Sequence, residues 1–192
     1  MRDQLILASQ SPRRAQLLQD ILIKFRIEPA HIDESVHDAE PAEQYVQRMA
    51  RKKADYIQPR QLPVLAADTI VVFEGAIFGK PVNQTQAIKM LSQLSGNTHV
   101  VLTALCVIHG TAVYTHLSKS RVRFRKLSQD EIARYWLTGE PCDKAGAYGI
   151  QGIGGTFVES IQGSQSSIMG LPLCETEQLL RQTGIDTWKH RV

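Results

Sequence analysis

The sequence is short of the residues that several kinds of function require. Cysteine occurs three times, at Cys106, Cys142 and Cys174. An odd number without ligand spacing argues against a disulfide framework and a cysteine-based metal cluster. It fits a reducing compartment, so the expected location is the cytoplasm. No apolar run approaches the roughly 18 residues of a membrane span. The stretch Leu5-Ile6-Leu7-Ala8 is too short for a secretory leader and no cleavage signal follows it. The six histidines are scattered, with no HExxH and no paired metal spacing. There is also no GxSxG elbow and no Cys/His pair to serve as a nucleophile and its base. The formal charge is only +3, from 22 basic and 19 acidic residues. A nucleic-acid partner is therefore not expected, and any preference for phosphate must be local.

What is present is an ordinary globular composition over 192 residues, enough for one domain, residues 1–192, with its own core. Strand and helix patterns alternate along it. Leu5–Ala8 reads as a buried strand, and Ser11-Pro12 as a capped helix start running to about Ile23. A short strand follows at Phe25–Pro29, then a polar, acidic loop from His31 to Glu40. Residues 41–58 read as a helix with Tyr45, Val46, Met49, Ala50, Ala54 and Ile57 inward; Arg48, Arg51, Lys52 and Lys53 are assigned to its surface. Val64–Phe73 and Ala76–Phe78 read as a hairpin around Glu74-Gly75. Asn83 caps a helix that reaches Leu94. Thr98–His109 and Ala112–Phe124 read as long strands, the second alternating arginines with apolar residues. Ser128 and Glu131 form a capping box for a helix to Leu137. After a glycine-rich stretch come a strand at Phe157–Ile161, a polar loop at Gly163–Ser167 and a last helix from about Pro172. The tail Asp186–Val192 is expected to fray. This is an α/β chain with antiparallel hairpins, and two lobes around a cleft would suit its alternation.

Four places break the expected composition. Ser9-Gln10-Ser11-Pro12-Arg13-Arg14 runs from a strand end into a helix N-terminus, where backbone N–H groups, hydroxyls and guanidinium forks can meet an anion. A capped helix with surface arginines is the plainer alternative. Asp68-Thr69 interrupts an apolar strand, and a buried carboxylate costs several kcal/mol unless it is paired or metal-bound. It is either a structural aspartate satisfied by backbone donors or a site carboxylate. Gly79-Lys80-Pro81 follows the return strand, which would bring Lys80 back beside Asp68; otherwise Lys80 is a solvated edge residue. Asp143 to Gly152 carries Gly146, Gly149, Tyr148 and Gln151, and would allow close approach of a base or sugar; a turn-rich structural loop remains the alternative. His99 is expected to be structural. Hydroxyl, guanidinium, ammonium and carboxylate groups together suit phosphate and a hard divalent ion.

At these motifs the sequence resembles the Maf family of nucleoside triphosphate pyrophosphatases. The matching segments are Leu7 to Arg14, Ala66-Ala67-Asp68-Thr69, Gly79-Lys80-Pro81, Ser95-Gly96-Asn97-Thr98-His99, Gly139-Glu140-Pro141, Asp143 to Gln151 and Gly170-Leu171-Pro172-Leu173. They span nearly the whole chain. Phe78 and Gln165-Ser166-Ser167 depart from the usual pattern. The resemblance implies an α/β fold like that of inosine triphosphate pyrophosphatases, a long twisted mixed sheet with flanking helices and two lobes around a cleft. It implies hydrolysis between the α and β phosphates, a divalent cation (Mg2+ or Mn2+), a cytoplasmic location and a homodimer. Arg13, Thr69 and Gln151 follow the subgroup that resembles dTTP/UTP pyrophosphatases. A 7-methyl-GTP subgroup typically carries tryptophan at the position of Arg13.

On this resemblance Asp68 is the proton acceptor, with Glu34 as a second carboxylate for the metal. Ser9, Ser11, Arg14, Lys53 and Lys80 are expected at the phosphates, and Arg13, Thr69 and Gln151 at specificity positions. Arg14 has a structural alternative. Gln151 can offer a donor and an acceptor to a pyrimidine edge at once. Two further readings stand beside dTTP and UTP hydrolysis: 7-methyl-GTP hydrolysis, and a nucleotide-binding regulator of cell division or septum formation.

Overall fold

The structure is a computed structural model that describes residues 3–59 and 61–189. The chain divides into two compact units. The first comprises Met1–Asp68, Thr103–Ser118 and Gly170–Val192, and the second Thr69–Leu102 and Lys119–Met169.

The first unit begins with β1 (Leu5–Leu7), whose three residues are fully buried. It lies between β2 (Phe25–Ile27) and the start of β3 (Val64–Phe73) and is parallel to both, with Ile6 opposite Arg26 and Val64. Parallel neighbours need a crossover, and helices supply it. α1 (Pro12–Asp20) starts on Ser11, whose side chain accepts from the Arg14 N–H, with Pro12 in the first turn where its missing N–H costs nothing. α2 (Ala42–Tyr56) buries Tyr45, Val46, Met49, Ala50, Lys53 and Ala54, a single stripe at helical spacing. α6 (Leu173–Gln182) closes the unit with Leu179 and Leu180 buried.

In the second unit β3 turns through Glu74 and Gly75, both with positive φ, into β4 (Ala76–Phe78). That is the two-residue hairpin geometry matching strand twist. The ladder ends at the pair Val71–Phe78, so Lys80 lies two residues beyond it. α3 (Gln84–Leu94) is capped by Asn83, which accepts from the Gln86 N–H. Gln86 reaches back to the Val82 N–H rather than to the cap itself. α4 (Gln129–Leu137) carries the complete Ser128/Glu131 capping box. The core of this unit includes Val71, Leu91, Val122, Phe124, Tyr135 and Tyr148.

β5 (Thr98–His109) and β6 (Ala112–Phe124) contribute residues to both units. The strands form one mixed sheet in the order β2-β1-β3-β5-β6-β7, with β4 paired to β3. β7 (Val158–Gln162) is antiparallel to β6. Along β6, Lys119, Arg121 and Arg123 point outward between buried Ser118, Ser120, Val122 and Phe124. No described helix is long and apolar enough to cross a membrane.

Four sequence expectations are corrected. α1 stops at Asp20 rather than near Ile23, because Leu22 takes a left-handed φ of 58°. Lys53 is buried, not on the surface of α2, because it meets two carboxylates there. The segment Gly163–Ser167 is not a plain loop: α5 (Gln165–Ile168) forms on Ser164, whose hydroxyl accepts from the Ser167 N–H. The tail is ordered as far as Lys189. Thr187 is buried and its hydroxyl donates to Glu177, as does the Trp188 indole. The rest of that expectation, residues 190–192, lies outside the described residues.

Candidate active site

Asp68 is the last residue of the first unit and sits in β3 between Ala67 and Thr69, only 7% exposed. A carboxylate in such a strand needs a charged partner. α2 provides one. Lys53 Nζ donates to Asp68 Oδ1 at 2.6 Å and also lies 2.7 Å from Glu34 Oε1. Glu34 comes from the acidic loop and remains half exposed. One ammonium thus joins a buried carboxylate to an open one. Burial pushes the Asp68 carboxyl above its ordinary pKa, against the opposing pull of Lys53 and Arg14, while Glu34 pushes the same way as burial. Asp68 therefore holds a proton more strongly than a surface aspartate does.

The strand-to-helix segment is built around Arg14. Its Nη1 donates to Ser9 Oγ at 3.0 Å and its Nε to the Gly170 carbonyl at 2.8 Å. Ser9 Oγ also accepts from the Ser11 N–H at 3.2 Å. Burial lowers the Arg14 pKa, while Asp68 and Glu34 draw it upward. The guanidinium thus ties the β1–α1 turn at Ser9 to the Gly170 carbonyl. Arg13 is partly exposed.

Ser9, Ser11, Arg13, Arg14, Glu34, Lys53 and Asp68 belong to the first unit; Thr69, Lys80 and Gln151 belong to the second. Thr69 is partly buried, and Lys80 and Gln151 are exposed. Within the second unit the Gly146 N–H donates to the Gly79 carbonyl at 3.1 Å, which joins the residue before Lys80 to the glycine-rich stretch. Gly146 has φ 70°, and a Cβ there would come within 2.8 Å of Val71 Cγ2. Only glycine satisfies both demands.

His99 is structural, as expected. It is 1% exposed, its Nε2 shares a hydrogen bond with Tyr148 Oη at 2.9 Å, and Phe124 packs edge-on at 4.9 Å. Burial lowers its pKa to about 4, so the ring is neutral.

Three further side chains anchor the segments that carry these residues, each within its own unit. Tyr45 was assigned to the core, yet its hydroxyl donates to the Glu34 carbonyl at 2.9 Å. Burial pushes its pKa to about 12, so that donor stays protonated. Arg48 was assigned to the surface, yet it grips both Glu40 oxygens and donates to the Ser35 carbonyl at 2.9 Å. Glu140 was noted only as part of a motif, yet it accepts from the Ile153 and Gly154 N–H groups. The partners are mostly backbone atoms, which leave no mark on residue type. For Gly170 the partner lies 156 positions away.

Among the described residues no group of three or more His, Cys, Asp or Glu gathers as a metal centre. Asp68 Oδ1 and Glu34 Oε1 nevertheless converge on the same point, Lys53 Nζ. Both are oxygen donors of the kind that could hold a hard divalent ion, and the Lys53 ammonium stands between them.

A dTTP/UTP pyrophosphatase from Hahella chejuensis is 50% identical over 192 residues, covering 97% of this chain and 96% of that protein. One from Methylobacillus flagellatus is 54% identical over 183 residues, covering 93% of this chain and 92% of its own. A solved HAM1 protein from Coxiella burnetii aligns with 64% of this chain and 73% of its own at 14% identity and a TM-score of 0.43, too low to add to the sheet order itself. The family profile described as Maf-like protein matches residues 4–183, and the chain belongs to that family.

Proposed function

We propose that this protein hydrolyses dTTP and UTP between the α and β phosphates, yielding the nucleoside monophosphate and pyrophosphate. The observation that carries the proposal is the buried Asp68, paired with Lys53 at 2.6 Å and raised in proton affinity. Half-identity to proteins named for this activity, over nearly their full length, supports the substrate class.

In the reaction, water attacks the α-phosphorus while Asp68 accepts its proton. The bond from that phosphorus to the bridging oxygen breaks, and pyrophosphate departs. Lys53, Arg13, Lys80 and the hydroxyl-rich turn of Ser9 and Ser11 offset the charge that builds on the phosphate oxygens. Arg14 holds Ser9 in that turn. Asp68 and Glu34 would hold a Mg2+ or Mn2+ ion, which when bound supplies stabilisation to the leaving pyrophosphate. Gln151 reads the pyrimidine edge, and Arg13 and Thr69 set the subgroup preference. The same proposal includes a homodimer in the cytoplasm.

Asp68→Asn tests it. The amide cannot accept the proton, so turnover falls by about 10²- to 10⁴-fold, the usual worth of a general base. Pyrophosphate release by the variant at the parental rate would overturn the assignment.

A further inference from the structure

Gln151 is exposed at the tip of the glycine-rich stretch, so packing cannot fix the side chain that is to read a base. Its backbone is fixed from both sides instead. Two residues before it, the Gly149 N–H donates to Tyr135 Oη at 3.0 Å. Just after it, the Ile153 N–H donates to Glu140 Oε2 at 2.9 Å and the Gly154 N–H to Glu140 Oε1 at 3.0 Å. The Tyr135 hydroxyl donates to Glu140 Oε1 at 2.7 Å and joins the two anchors. A single tyrosine–carboxylate pair therefore closes both ends of the tip that carries Gln151.

We propose that Glu140 and Tyr135 are positioning residues for substrate discrimination, clamping the 149–154 segment so that Gln151 is presented to the pyrimidine edge. This rests on the proposed hydrolysis of pyrimidine nucleotides and on the role of Gln151 in it. The clamp is itself rigid. Tyr135 is 2% exposed in α4, and its ring packs edge-on against Phe157 at 4.8 Å. The Glu140 carbonyl accepts from Lys144 Nζ at 2.7 Å. The glycines have a steric reason as well as a conformational one. A Cβ at Gly152 would overlap the Glu140 carboxylate, and one at Gly154 would overlap the Tyr135 hydroxyl. Burial opposes the Glu140 charge, but the Gly154, Tyr135 and Ile153 donors together outweigh it and hold its pKa below the ordinary value. Glu140 thus stays an acceptor at neutral pH, as three donors require. An exposed tip ordered before binding need not be ordered by the substrate. Losing the clamp should therefore appear in KM and base preference, not in the chemistry at Asp68.

Two variants test this. Glu140→Gln replaces one of the two acceptor oxygens with an NH2 group that cannot accept, so either Ile153 or Gly154 loses its partner. Tyr135→Phe keeps the ring against Phe157 and removes the hydroxyl, so it remains informative if the first variant folds poorly. The expected result is faster hydrogen exchange at Gly149, Ile153 and Gly154, with KM for dTTP and UTP raised about tenfold, the scale of one hydrogen bond to a charged group. kcat stays within about twofold, and preference over dCTP falls. In a Gln151→Ala background, Glu140→Gln costs no further discrimination, as expected when one residue acts through the other. If Gln151→Ala loses base preference while both clamp variants keep it, the clamp is overturned and the role of Gln151 stands. If Gln151→Ala itself keeps the parental preference, the base-reading role falls and the proposal with it. A uniform drop in kcat for every nucleotide, without change in KM ratios, would mark the pair as merely structural.

Discussion

Lys53 Nζ, from α2, donates at 2.6 Å to Asp68 Oδ1, in β3, and both side chains are about nine-tenths buried. Removing one partner of such a pair leaves the other charge in a poor solvent, which costs about 3–5 kcal/mol. Lys53→Met should therefore unfold about 6–20 °C below the parent protein, on the scale for a chain of this size. Lys53→Met combined with Asp68→Leu should recover much of that loss, because no buried unpaired charge remains and Glu34 is half exposed. Thermal unfolding of the two variants checks both statements.

Acid should weaken the fold through His99. Its pKa is lowered to about 4 by burial, from an ordinary 6.5. Between those values the unfolded chain takes up a proton that the folded ring refuses. The contribution is fully present above about pH 6.5 and is lost as pH falls toward 4, by about 3 kcal/mol in all. Urea unfolding at a series of pH values should show this slope, and His99→Phe should flatten it.

Arg13 stands where the 7-methyl-GTP subgroup typically carries tryptophan. Arg13→Trp should lower turnover of dTTP and UTP by about tenfold or more, the worth of a charged hydrogen bond to the substrate. Other nucleotides should be less affected. A nucleotide panel assayed with parent and variant reads this directly, and an unchanged profile would remove Arg13 from the specificity positions.

The loop carrying Glu34 is latched by Arg48. Its guanidinium grips Glu40, whose pKa is held at about 2 chiefly by that contact, and reaches the Ser35 carbonyl beside Glu34. Arg48→Ala should free the loop and so loosen Glu34. The expected effect is a several-fold higher Mg2+ or Mn2+ concentration for half-maximal turnover, measured by metal titration after chelation. An unchanged metal requirement would separate Glu34 from the metal.

Local chemistry made much of this fold legible in the sequence. The β3–β4 hairpin follows from Glu74-Gly75 between apolar runs, and α4 from a capping box that the structure completes with both reciprocal bonds. Asp68 stood out because its neighbours in the strand are apolar. Position 53 continues the stripe of Val46, Met49 and Ala50, so helical periodicity marks Lys53 as buried although its charge points to the surface. The α5 turn was missed because four residues are too few for any period to show. The Glu140 contacts to Ile153 and Gly154 are not legible, since they fall on backbone N–H groups that any sequence would supply, and for Arg48 the pairing with Glu40, eight positions before it, leaves no periodic mark.

The central claim is cleavage at the α-phosphorus with Asp68 as the proton acceptor. Its most direct measurement is product analysis of dTTP and UTP turnover in ¹⁸O-water with Mg2+ or Mn2+. Monophosphate and pyrophosphate should form in equal amounts, with the label in the monophosphate and with both products lost in Asp68→Asn. Release of single phosphate with nucleoside diphosphate, or label in the pyrophosphate, would contradict it.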